Sequence, residues 1–425
     1  MHDLKRNFQP ADQKIVRQLN KGSIIDLIRR SAEGISRAEI AQLLRVSRST
    51  ASIIVDDLLT SGLVIERGAG VSRGGRRPIV LEINPAAGYV VGVDIGATHV
   101  LVIVADFFGK VLTESEASFA IADGPETCLP RVQEMAERAV REIGQRWSSV
   151  KAVGVGVPGP VDINKGIVSA PPIMPGWDGF PIRQYLAERW SKPTSLDNDA
   201  DLGALGEWSF GAGQGESNLA YIKVGTGIGC GILIDGQIYH GVLGTAGEIG
   251  HVTISEDGSP CTCGNYGCLE AMAGGRAIAQ RAQMAVKAGQ RTTLTDLLDH
   301  EVTARDVALA AAAGDVVSQQ LLSDAGRHIG SALASLINLL NPGLVLIGGG
   351  VAEAGDFLLN PLRVSVNERS LRASLRAARI AVAALGRRST ALGAVSLALA
   401  TTFQQYIEPD ETRRVYQPHL GAFSI

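Results

Sequence analysis

Apolar positions in the first eighty residues recur with the helical period. Over residues 21–30, Ile24, Ile25, Leu27 and Ile28 share one face, and Gly34 ends the run. Ser36-Arg37-Ala38-Glu39 reads as a capping box, in which the serine hydroxyl accepts from the N3 amide and the glutamate reaches back. Ile40, Leu43 and Leu44 continue the apolar stripe. After a short turn around Val46 comes a third helix over residues 47–61. Ser47 caps it, Ala51, Val55, Leu58 and Leu59 face inward, and Gly62 stops it. Residues 63–67 and 79–83 then read as two strands joined by a loop over residues 68–75 and Arg76-Arg77-Pro78, a β-hairpin wing. Two short helices with a tight turn, followed by a wing, predict a winged helix-turn-helix over residues 14–84, with the third helix as reader.

The period changes near residue 88. Val90 to His99 and Val100 to Asp106 are an apolar strand, a glycine-containing turn and a second apolar strand. The pattern returns over residues 221–234, and two such hairpins predict a duplicated α/β unit. Between them the sequence predicts a helix over about 129–147, a buried strand over 152–157 and a turn at Pro158-Gly159-Pro160-Val161-Asp162. Leu196-Asp197-Asn198-Asp199-Ala200-Asp201 follows a short strand and opens a helix toward Trp208. Its carboxylates suit a helix N-terminus, where the dipole favours them, and they also offer a general base. Further on are an apolar helix over 328–340, a turn at Asn341-Pro342-Gly343, a buried strand over 344–347 and three glycines at its carboxyl end. A last helix includes residues 393–400. The body is thus expected over residues 88–402, and residues 404–425 form a polar tail.

Charge divides the chain. Residues 1–80 carry 14 Lys and Arg against 8 Asp and Glu, whereas the whole chain of 425 residues has a net charge of −3. A basic head on an acidic body points to a polyanion as the head's partner. At the start of the third helix, Arg48, Ser49 and Ser52 lie off the apolar stripe, where side chains reach base edges. Arg73, Arg76 and Arg77 sit at the wing tip, placed to enter a minor groove or clamp phosphates. The competing reading is a winged module used for protein contacts. The apolar run over residues 89–105 is broken by Asp94, glycines and His99, so no membrane span is expected, and residues 1–10 lack a signal-peptide pattern. A cytoplasmic protein without membrane partners is the expectation.

Three of the five cysteines, Cys261, Cys263 and Cys268, follow His251 within one glycine-containing loop. Three thiolates and an imidazole are a complete tetrahedral set for Zn²⁺ with no open position, so the metal is expected to be structural. A disulfide or free thiols are the alternatives, but a Cys-x-Cys pair is too close for easy bridging, and Cys128 and Cys230 have no local partner. Glu248 and Glu270 would stand on the rim of the tied loop.

Taken together, these motifs resemble the ROK family of repressors, open reading frames and kinases, most specifically in Gly250-His251 and Cys261-Thr262-Cys263-Gly264, Gly267-Cys268-Leu269-Glu270. The resemblance implies an actin-like, ribonuclease-H-like fold of two lobes around a cleft that holds a sugar, and ATP in the kinases. It implies that Asn198, Asp199, Glu248, His251 and Glu270 hold sugar hydroxyls. It also implies that Asp199 matches the kinase base, and that Asp94, Gly96, Thr98 and Gly225-Thr226-Gly227 match the phosphate turns. The added winged head marks the repressor branch. The kinases typically read Asp-x-Gly-Gly-Thr-Lys in the first phosphate turn, where this chain has Asp94-Ile95-Gly96-Ala97-Thr98-His99. That departure speaks against bound ATP and Mg²⁺. The expectation is a regulator of repressor type that binds operator DNA as a homodimer or higher homo-oligomer and answers to a sugar or sugar phosphate. The alternative is an ATP-dependent hexose kinase with an accessory DNA-binding head.

Overall fold

The computed structural model describes residues 13–31, 33–69, 79–171, 173–297 and 301–408. In the head, helix Gln13–Arg30 precedes helix Arg37–Leu43 and helix Arg48–Thr60. The capping box at Ser36 forms as expected, with the Glu39 carboxylate accepting from the Ser36 amide at 2.9 Å. The Ser47 hydroxyl accepts from Thr50 N at 3.0 Å and fixes the start of the third helix. Strands Val64–Ala69 and Ile79–Ile83 pair antiparallel as the wing. A short strand, Ile35–Ser36, adds to the outer side of Ile79–Ile83, which the sequence reading did not foresee. Two residues carry too little periodicity to register.

The body holds two five-stranded sheets of one topology. The first runs Thr194–Asn198, Val150–Val157, Tyr89–Ile95, His99–Ala105, Val111–Ser118. The second runs Arg379–Val382, Leu344–Gly348, Leu219–Val224, Ile228–Ile234, Gln237–Ile238. In each, an antiparallel hairpin is extended by two parallel strands on the side of its first strand. The duplication expected from the two glycine hairpins is therefore a duplication of whole sheets.

Two helices, Asp199–Phe210 and Ser389–Ile407, lie between the sheets. The closing helix, Ser389–Ile407, packs on the first sheet and Asp199–Phe210 on the second, and the two pack against each other. A Cβ at Gly393 would stand 1.8 Å from the Leu202 carbonyl oxygen, so this close crossing needs glycine there. The outer face of the first sheet is covered by Pro125–Glu142 and Ile182–Trp190, and that of the second by Val316–Leu340 and its neighbours.

Several bounds differ from expectation. The helix expected over 129–147 is Pro125–Glu142, opened by a proline that fits the first turn, and Trp147 falls in a separate single turn. The helix expected over 328–340 starts at Val316, where Asp315 caps it. The closing helix, foreseen over 393–400, runs to Ile407 and takes in the first residues of the expected tail, because Phe403 and Ile407 are buried. What buries them is the head. Phe403 and Ile407 share one apolar core with Ile24, Ile25 and Ile28 of the first helix. The Arg29 guanidinium lies 5.5 Å from the centre of the Phe403 ring, which also meets Phe107 edge-on at 5.9 Å.

Candidate functional site

The cysteine loop closes on itself. Gly264 and Gly267 take the left-handed backbone expected of them (φ 92° and 63°), which folds the loop back toward His251. Cys263 Sγ and Cys268 Sγ stand 3.7 Å apart, and Cys261 Sγ is 3.6 Å from His251 Nδ1. All four ligand atoms lie within 4.8 Å of one another, and no cysteine is in a disulfide. Tetrahedral zinc with Zn–S near 2.3 Å sets neighbouring sulfurs about 3.8 Å apart, a spacing that the Cys263–Cys268 pair already has. The group is able to hold a metal through His251, Cys261, Cys263 and Cys268. Without a metal, burial first of all pushes the Cys268 thiol up to about 12, so metal binding has to displace its proton.

The loop also aims His251 at the cleft. With Nδ1 toward Cys261, its Nε2 faces Glu248 Oε2 at 3.9 Å. Burial raises the Glu248 carboxyl above its ordinary range against the pull of His251, and the nearby Asp199 and Glu270 carboxylates raise it further. Glu270 accepts from the Ile228 amide at 2.9 Å. A Cβ at Gly227 would stand 2.0 Å from Glu270 Oε2, so glycine in the turn Gly225-Thr226-Gly227 is what admits that carboxylate. Glu248, His251, Glu270 and Asp199 are thus brought to one place from three separate stretches, Glu248 and His251 sharing one turn.

Asn198 caps helix Asp199–Phe210. Its Oδ1 accepts from Ala200 N at 2.8 Å, and its Nδ2 donates to the Gly159 carbonyl at 2.8 Å. That ties the helix start to the turn after strand Val150–Val157 and leaves one amide hydrogen for a ligand. Asp199, the first residue of the helix, is ion-paired through Oδ2 to Lys223 Nζ at 2.8 Å. Lys223 also donates to Thr390 Oγ1 at 3.2 Å, and Thr390 in turn donates to the Asp199 carbonyl at 2.9 Å. Burial would strip the Lys223 proton, but Asp199 and Asp94 more than offset it and keep the ammonium charged.

The first glycine turn, expected as a phosphate turn, is occupied from within. The His99 imidazole folds over Gly96, so that a Cβ there would meet the ring at 2.5 Å, and His99 Nε2 lies 3.5 Å from Asp94 Oδ2. Asp94 Oδ1 is buried with no hydrogen-bond partner among the described residues. Burial would raise the Asp94 carboxyl, yet Lys223 and His99 hold it below its ordinary value. The second turn is more open, with nothing within 4 Å of a Cβ at Gly225. Thr98 and Thr226 lie in these two turns, and their carbonyls accept from Phe119 N and Arg276 N. An imidazole over one turn and an ammonium paired with Asp199 do not fit a nucleotide with its divalent cation.

A second ion pair lies below the cleft. His240 Nε2 stands 3.0 and 3.2 Å from the two oxygens of Asp197. Burial alone would lower the His240 pKa, but Asp197 lifts it to about 9. Asp201 is buried beside them with Oδ1 unpartnered among the described residues, and burial pushes its carboxyl well above the ordinary range. Lys223, His240 and Thr390 were missed by the sequence reading. For Lys223 the signal existed: a lone lysine in the apolar strand Leu219–Val224 needs a buried partner.

In the head, Arg48 and Ser49 are exposed and Ser52 is half-buried at the start of helix Arg48–Thr60. Ile53, 58 % exposed on the same helix, was not foreseen and offers an apolar contact. Arg73, Arg76 and Arg77 lie outside the described residues.

A model of the ROK family matches residues 90–401, and a homeodomain-like domain matches residues 19–64. The chain is 33 % identical to a xylose repressor of Caldicellulosiruptor bescii over 93 % of its own length and 100 % of the repressor's. Among solved structures, it is similar to a ROK family transcriptional regulator homologous to the E. coli MLC protein. There the TM-score is 0.78 and the identity 26 %, over 92 % of this chain and 96 % of that one. It is also similar to a ROK family glucokinase from Streptomyces griseus in complex with glucose and AMPPNP, with a TM-score of 0.66 and 31 % identity. That match covers 73 % of this chain and 99 % of the kinase.

Proposed function

The chain belongs to the ROK family, and from that premise we propose that it is a sugar-responsive transcriptional repressor. One observation carries the reading. The similar regulators match this chain over head and body alike, whereas the glucokinase matches the body and leaves the head unmatched. The head supplies DNA binding through Arg48, Ser49 and Ser52, with Arg73, Arg76 and Arg77 as the expected wing contacts. The body supplies the effector site: Asn198, Asp199, Glu248, His251 and Glu270 take the hydroxyls of a sugar or sugar phosphate. Carboxylates and an imidazole bind such hydroxyls by charge-assisted hydrogen bonds.

The metal in this reading is structural zinc, held by His251, Cys261, Cys263 and Cys268. It would tie down the loop, while His251 presents Nε2 to the cleft. The working unit is a homodimer or higher homo-oligomer in the cytoplasm, since one short recognition helix contacts too few base pairs for an operator. No helix among the described residues is long and apolar enough to cross a membrane. Phosphotransfer from ATP is absent or very slow, although Asp199 stands where a base would be needed.

The test is the sugar dependence of operator binding by the full chain. A panel of monosaccharides and their phosphates is first screened by thermal shift. The sugar that binds should change operator affinity, because any effector acts through differential affinity for two states. Glu248→Ala should lose that response and keep sugar-free DNA binding. An unchanged response in Glu248→Ala removes Glu248 from the ligand site, and a wild type that no sugar affects removes the function.

A further inference from the structure

We propose that Lys223 is the residue that closes this cleft to phosphotransfer, its ammonium, paired with Asp199, holding the place that a nucleotide's divalent cation requires. The inference rests on the receptor reading above and adds the device behind it. Phosphoryl transfer needs a cation that bridges phosphate oxygens and a carboxylate ready to take the hydroxyl proton. Hard divalent cations are held by carboxylate oxygens. Here the two carboxylates of the cleft floor, Asp94 from the first hairpin and Asp199 from the central helix, are served by one lysine from the second sheet.

The lysine is built in. Its Nζ is 2.8 Å from Asp199 Oδ2 and 3.2 Å from Thr390 Oγ1, and its side chain is only 18 % exposed. Thr390, at the start of the closing helix, accepts from Lys223 and donates to the Asp199 carbonyl. The ammonium is thus carried by the second sheet and positioned by the two helices between the sheets. A divalent ion entering beside it would meet a fixed positive charge, and Asp199 cannot accept a proton at an oxygen already engaged by an ammonium without breaking that pair.

An unpaired lysine would instead attract phosphate as a point charge. This one is already paired with the Asp199 carboxylate, which neutralises its charge, so it does not recruit an anion. Asp94 accounts for the remaining geometry. Its Oδ1 is buried without a partner among the described residues, as expected of a carboxylate whose neutralising charge lies near but not in contact. Lys223 is therefore a positioning residue: it holds Asp199 for a sugar hydroxyl and keeps the metal out.

The test uses Mn²⁺ as a paramagnetic probe of divalent-cation binding, read by water proton relaxation on the full-length, zinc-loaded protein. Wild type should take up no more Mn²⁺ than Asp94→Asn. Lys223→Met, which keeps the stem and removes the charge, should gain a Mn²⁺ site that Lys223→Met/Asp94→Asn lacks. Should the methionine variant fail to fold, Lys223→Gln carries the same comparison. Mn²⁺ bound by wild type and lost in Asp94→Asn overturns the proposal, as does a folded Lys223 variant that gains no site. A separate assay follows sugar-dependent ADP formation. Robust turnover by wild type would sink the receptor reading itself, whereas a silent wild type with a Lys223 variant that gains no Mn²⁺ site sinks only the role of Lys223.

Discussion

At the scale of single residues, charge pairs set what each part can do. The His240–Asp197 pair has a definite pH signature. With its folded pKa raised to about 9, His240 contributes stability that is fully present below its unfolded value near 6.5. That contribution is lost as pH rises through about 9, and it amounts to roughly 3 kcal/mol at most. Unfolding midpoints should fall across this window in the wild type and stay flatter in His240→Gln. Equal slopes would show that the pair does not titrate as a unit. In the head, the exposed Arg48 leads the recognition helix. Arg48→Ala should weaken operator binding by about 1–3 kcal/mol while random-sequence DNA loses less. A competition titration at fixed salt measures it, and a loss confined to random DNA would show that Arg48 contacts phosphate rather than bases.

At the scale of elements, the cysteine loop and its rim behave as one piece. Its chain from Glu248 to Glu270 has little apolar content to pack, and Cys263 is exposed. Its shape therefore depends on the ligand set rather than on a core. On the proposed structural zinc, Cys263→Ala should carry less zinc than wild type by elemental analysis, and the same variant should weaken sugar binding, because His251 would be both a metal ligand and a neighbour of Glu248. Zinc content equal to wild type would remove Cys263 from the set. The two central helices make a contrasting case. Nearly every residue of Asp199–Phe210 and Ser389–Ile407 is buried, so neither has a polar face. A helix without a stripe gives periodicity nothing to detect, which is why only residues 393–400 of the closing helix were legible in advance. In the head, the Ser36 and Ser47 caps were read correctly, whereas the first helix begins at Gln13, eight residues ahead of the expected run over 21–30.

At the scale of the whole molecule, the closing helix spans from cleft to head. Thr390 near one end touches Lys223 and Asp199, and Phe403 and Ile407 near the other pack into the head's core. Glu207 pins the cleft end: its buried carboxylate accepts from Ala212 N, Ala384 N, Leu385 N and the Ser389 hydroxyl. A shift at the proposed sugar site would therefore have a continuous packed route to the head. Phe403→Ala should cost about 3–5 kcal/mol of stability through the cavity it leaves. It should also reduce the effect of sugar on operator affinity while sugar binding by the isolated cleft persists. Calorimetry of sugar binding beside operator titrations with and without sugar separates the two, and a full sugar response in Phe403→Ala would place the coupling elsewhere.

The sequence by itself determined the local features: the capped helices, the wing strands, the two glycine hairpins, and a Cys-x-Cys loop with a histidine upstream. Each follows from residues close together in the chain, where periodicity, turn chemistry and ligand spacing act directly. Only the tertiary structure decided that Lys223 would meet Asp199 and Thr390, and that the head would dock on Phe403. Those contacts join residues far apart in sequence, 167 positions in the case of Lys223 and Thr390. They exist because two sheets close on a shared pair of helices, and no local pattern encodes which side chains that closure brings face to face.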